Sequence, residues 1–76
     1  MAGDLRQQDA GLIEDRFWAA ALREQLVTVA WCDEAGMVYH ETAVPWRATD
    51  THLVFQREGE GHGIPRSWII GLYPPW

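Results

Sequence analysis

His40, His52, His62, Cys32, Asp33 and Glu41 are the residues from which a metal site or a nucleophile would have to be built. Zinc sites draw their ligands from short spacings such as CxxC or HxxxH, and no pair here has one. The expected elements also scatter the histidines: His40 falls within a strand, His52 opens the next, and His62 lies in a loop. They read as rim or solvent-facing side chains, with no metal implied. Cys32 has neither His nor Lys beside it in sequence to lower its pKa or take its proton, so it reads as a small core residue at a strand end. Gly59-Glu60-Gly61-His62-Gly63 is glycine-rich, but it lacks the Lys-Ser/Thr pair of a phosphate loop, and Glu58 and Glu60 would repel an anion. Glu14-Asp15 and Asp33-Glu34 read as solvated charges on a helix surface and a turn tip. The expectation is a protein that is not an enzyme and carries no cofactor, with no catalytic residues.

Recognition is better represented. Trp31, Tyr39, Trp46, Phe55, Trp68 and Tyr73 could supply stacking platforms, and Arg47, Arg57 and Arg66 fall in the same β-rich region. Single-stranded RNA is bound by aromatic platforms beside a basic groove. Trp and Arg are equally the favoured anchors of protein interfaces. Trp46 follows Pro45 at an expected strand end, and Trp76 closes a Pro-Pro tail. An exposed tryptophan at either place would make a partner or self-association surface. The candidate partner-binding residues are therefore Trp46, Arg47, Arg57, Arg66 and Trp76.

Charge decides between these partners. The chain has 76 residues and a net charge of −5, from 11 carboxylates against 6 cations, all arginine. A phosphate backbone is repelled by such a balance, whereas a basic protein surface is attracted. A protein partner is the first expectation; an RNA-binding or homo-oligomeric module is the alternative. The lone cysteine excludes an internal disulfide and fits a reducing cytoplasm. No signal-peptide pattern opens the chain, and no apolar run approaches the ~18 residues of a membrane span. A cytoplasmic setting with no membrane partner is expected.

The elements that must position these residues follow from periodicity. Residues 1–9 are polar and expected to fray, residues 10–73 to form one domain, and residues 74–76 to end as a proline-stiffened tip. Asp9 is a suitable N-cap for a helix over 10–25, with Ile13, Phe17, Trp18, Ala21 and Leu22 as its apolar stripe. Residues 26–32 are β-branched and aromatic on both faces, as in a central strand. Gly36 marks a turn, residues 37–44 a second strand that Pro45 ends, bulges or places at an edge, and residues 52–57 a third. Residues 58–63 read as a flexible hairpin loop. Residues 64–73 read as strand, tight turn at Arg66-Ser67-Trp68, and strand, with Ile64, Trp68, Ile70 and Leu72 in the core. The fold class is α+β, mostly β: an N-terminal helix followed by a five-stranded, strongly bent antiparallel SH3/Sm-like barrel.

The helix, the strand Leu26-Val27-Thr28-Val29-Ala30-Trp31, the turn at Gly36, Leu53-Val54-Phe55 and the closing Ile64-Pro65-Arg66-Ser67-Trp68-Ile69-Ile70-Gly71-Leu72 are together similar to YolD-like proteins. These are small bacterial Sm-like barrels whose last strands read as Ile-Pro, a short turn and an Ile-rich strand. The same plan resembles the Rho-binding antiterminator (Rof) type, an acidic Sm-like protein that inhibits transcription termination by binding the Rho helicase. The resemblance implies a small regulatory adaptor that binds a protein of the transcription or DNA-repair machinery.

Overall fold

Asp9 starts the structure. Its carboxylate accepts from the backbone N–H of Gly11 and Leu12, capping a helix α1 over Ala10–Arg23. A computed structural model describes residues 7–74. After α1 the chain forms β1 (Val27–Cys32), β2 (Val38–Ala48), β3 (His52–Arg57), β4 (Glu60–Pro65), a single 3-10 turn over Arg66–Trp68, and β5 (Ile69–Tyr73). All neighbouring strands are antiparallel, in the order β4-β3-β2-β1-β5. The expected α+β architecture, one helix with a bent five-stranded antiparallel sheet, is borne out. The bend shows in the core: Ile64 of edge strand β4 and Ile69 and Leu72 of edge strand β5 belong to one buried cluster with Val27, Val29, Leu53 and Phe55. The helix completes it from Ile13, Phe17 and Ala20, and Phe17 meets Phe55 edge-to-face at 5.4 Å.

The buried stripe of α1 is rotated from the expected one. Ile13, Phe17 and Ala20 face the sheet, while Leu22 is 84% exposed and Trp18 lies at the surface. The ring of Trp18 stays useful there, edge-on to Phe17 and donating Nε1–H to Glu14. Ala20 could take the core position because its small side chain lets the helix approach closely, a fit that hydrophobicity alone does not signal.

Residues 58–63 are not a loop. Only Glu58 and Gly59 turn, both with positive φ (53° and 84°), the signature of a two-residue type I′ hairpin. Gly61 and Gly63 already lie in β4, paired with Gln56 and Val54. β2 likewise runs through Pro45, with Trp46 as the extra residue of a bulge between the pairs Pro45–Phe55 and Arg47–Val54. At the other end Ile70 is the extra residue where β5 meets β1. That bulge puts Ile69 and Leu72 in the core and leaves Ile70 half-buried, correcting the expected alternation. Trp68 packs on the core from its margin.

Candidate functional site

The bulge at Trp46 is what builds the most distinctive surface. An inserted residue re-aims its side chain, and here the indole is laid across the outer face of β3 towards β4. A methyl placed on Gly61 would stand 3.0 Å from Trp46 Cζ3 and 3.7 Å from a Val54 methyl. Gly61 thus makes room for the ring. Trp46 remains 49% exposed. The Arg47 guanidinium stands 5.0 Å from the ring centroid, a cation–π contact. On its other side Trp46 borders an open groove of about 400 Å³ with Ala21, Glu24, Val44, Pro45 and Gln56, between the end of α1 and β2.

The two edges of the sheet are treated differently. The edge of β5 is sealed. Gln8 donates its backbone N–H to Ile70 O and accepts from Leu72 N–H through Oε1; Gln7 Nε2 donates to Ile69 O, and Arg16 Nη1 to Leu72 O. Gln7 and Gln8 belong to the segment expected to fray, yet both bond to β5; residues 1–6 lie outside the described residues. Among the described residues β4 has no such cover. Arg66 N–H bonds to Thr51 O, and antiparallel alternation then turns the backbone groups of Ile64, His62 and Glu60 towards β3. Gly61, Gly63 and Pro65 point theirs outward, and no strand lies beyond them among the described residues.

Beside that edge Glu41, Arg57, Glu58, Glu60, Gly61 and His62 line a polar cleft of about 380 Å³. Glu41, whose side chain is only 12% exposed, holds two neighbours: His62 Nδ1 at 3.0 Å and the Arg57 guanidinium, Nη1 at 3.5 Å. His62 also meets Trp31 edge-on, and Trp31 stacks on Tyr39 at 5.2 Å. Glu58 and Glu60 make no ion pair among the described residues, so the cleft is net acidic.

The candidate arginines do not form one patch. Arg57 lies where β3 turns into β4, and Arg66 follows the opposite end of the same ladder. Six residues of strand, ~20 Å, separate those ends. Arg66 is built into the fold: Nη1 donates to Glu14 at 2.6 Å and Nε to Thr49 O at 2.9 Å. These bonds, led by Arg66 and followed by Trp18, hold the Glu14 carboxyl below its ordinary pKa. Only Arg47 stays with Trp46. Trp76 lies outside the described residues.

Asp33 organises the β1–β2 turn, accepting from Ala35 and Met37 N–H and from the Tyr39 hydroxyl, with Gly36 at φ 88°. The Met37 and Tyr39 bonds lower the Asp33 pKa, and the same carboxylate raises that of Tyr39. Cys32 Sγ lies 3.7 Å from Asp33 O. Among the described residues no three His, Cys, Asp or Glu side chains gather as metal ligands, and no helix is long and apolar enough to cross a membrane.

The sequence singles out Trp46 and Arg47 by residue type, but not the β4 edge, because Gly61 and Gly63 make that strand look like a loop. Comparisons with family models, curated proteins and solved structures find no match to the chain. The likeness to YolD-like and Rof-type proteins therefore rests on the hydrophobic pattern of the sequence.

Proposed function

We propose that this protein is a small non-catalytic adaptor that binds another protein through the face centred on Trp46. The observation that carries this is the half-exposed indole, seated on Gly61 by a bulge and backed by Arg47. An aromatic ring held in place by its own strand loses little freedom on binding, and Trp and Arg are the residues on which interfaces most depend. The acidic charge favours a basic partner. Under the resemblance, that partner belongs to the transcription or DNA-repair machinery, in the cytoplasm. RNA binding is the weaker reading, because Arg57 and Arg66 are each held on a carboxylate at opposite ends of β3.

A photo-crosslinker at Gln56, which shares the groove with Trp46, tests this in cells. A protein adduct that disappears in the Trp46→Ala background is expected. An adduct consisting only of RNA, or one indifferent to Trp46→Ala, would overturn the proposal.

A further inference from the structure

We infer that the outward edge of β4 accepts an extended basic segment of the partner as an added strand. This deepens the protein-binding reading above and rests on it. Gly61 and Gly63 present two N–H and two C=O groups away from β3, at the positions alternation leaves unpaired. Proteins blunt such edges when they serve no purpose, and this chain does so on β5, where Gln7, Gln8 and Arg16 occupy the outward groups. β4 has no covering element among the described residues. Two of its three outward residues are glycines, which suit the close approach of another backbone. Pro65 has no N–H, which stops pairing at the strand's end and fixes a short footprint.

Charge selects the occupant. Glu58 and Glu60 flank the edge without ion-pair partners among the described residues, and Glu41 already holds the nearby Arg57 and His62. An added strand with alternate arginine or lysine side chains would set its cations against these carboxylates, and its other side chains would extend the outer face beside Trp46. A second copy of the chain would bring its own Glu58 and Glu60 and a further charge of −5 to the same edge. Backbone pairing supplies affinity and side-chain pockets supply selectivity, as in strand addition generally.

The test uses the full-length chain, 15N-labelled, and an acetylated octapeptide of alternating arginine and valine. Amide exchange at Gly61 and Gly63 should slow by about tenfold or more at saturation, while His62 and Ile64, already bonded to β3, change little. Gly63→Pro removes one outward donor while leaving the β3 ladder intact, and a side chain there meets nothing closer than 3.7 Å. It should weaken the peptide about tenfold. Should Gly63→Pro fail to fold, octapeptides N-methylated at alternate residues, in each of the two phases, replace it; methylation in one phase must abolish binding. Glu58→Gln with Glu60→Gln should weaken binding and flatten its salt dependence.

Peptide binding that leaves Gly61 and Gly63 exchange unchanged overturns the inference. Equal affinity for an alternating glutamate-valine octapeptide does so too, as does a free protein that self-associates with those two amides already protected. A Trp46-dependent adduct from Gln56 together with no strand addition by the peptide would sink this inference alone. A wild-type protein that yields no protein adduct from Gln56, or one that Trp46→Ala leaves unchanged, with strand addition intact, would sink the Trp46 reading instead.

Discussion

Replacing Arg66 by Met should destabilise the fold by about 1–2 kcal/mol, because this side chain ties three elements together. It donates to Glu14 of α1 at 2.6 Å and to Thr49 O in the β2–β3 connection at 2.9 Å, while its own backbone follows β4. Both members of the ion pair are over a third exposed, at 37% and 38%, which discounts the pair to ~0.5–1 kcal/mol. The bond to Thr49 O adds about 0.5–1 kcal/mol. In a domain of this size, the sum lowers Tm by roughly 5–15 °C, readable by circular dichroism with urea melts alongside. A double-mutant cycle with Glu14→Gln should return a coupling of ~0.5–1 kcal/mol. The pH dependence has a fixed sign. Glu14 titrates below its ordinary value in the folded state, so the ion-pair part is present above the unfolded carboxylate pKa. It is lost as pH falls through the depressed one. The gap between wild type and Arg66→Met must therefore narrow in acid towards the Thr49 contribution. An Arg66→Met variant as stable as wild type at neutral pH, or a gap that does not narrow in acid, would refute this placement of Arg66.

Three other outcomes are expected. Phe17→Ala removes a fully buried ring edge-on to Phe55 and should cost ~3–5 kcal/mol, enough to leave a domain this small largely unfolded by circular dichroism; a cooperative melt near the wild-type Tm would contradict the packing. Glu58→Asn relieves a left-handed residue at φ 53° and should raise stability by about 1 kcal/mol in urea; a lower midpoint would count against the type I′ turn. Asp33→Asn removes the charge that raises the Tyr39 pKa, so an ultraviolet titration should show Tyr39 ionising at lower pH than in wild type, and an unchanged curve would mean the Asp33–Tyr39 bond does not persist in solution.

Periodicity made the architecture legible wherever one face of an element is buried. Val27, Val29 and Trp31 share the core face of β1, and Asp9 announces the helix it caps. The errors came where a side chain's value depends on its neighbours. Ala20 outranks Trp18 and Leu22 in the core because the helix approaches the sheet closely, which no hydropathy scale encodes. Gly61 and Gly63 look like loop residues, but Gly61 leaves the space that the Trp46 ring occupies. Pro45 suggested an edge, bulge or strand end, and the bulge is what formed. At that position the pair with Phe55 is one where antiparallel alternation requires no donor from β2. Of the candidate site, Trp46 and Arg47 could be picked out by residue type. The bare β4 edge could not, since it exists only once strand order is known. Arg66 looked available for binding because its partner, Glu14, lies 52 residues away in sequence.

The most direct test of the central claim is capture from Gln56 in living cells, compared between wild type and Trp46→Ala, with half of each sample treated with ribonuclease. A ribonuclease-resistant protein adduct, present in wild type and absent from a folded Trp46→Ala variant, is the predicted result. An adduct abolished by ribonuclease, or one equally strong without the Trp46 ring, would contradict a protein-binding function for this face.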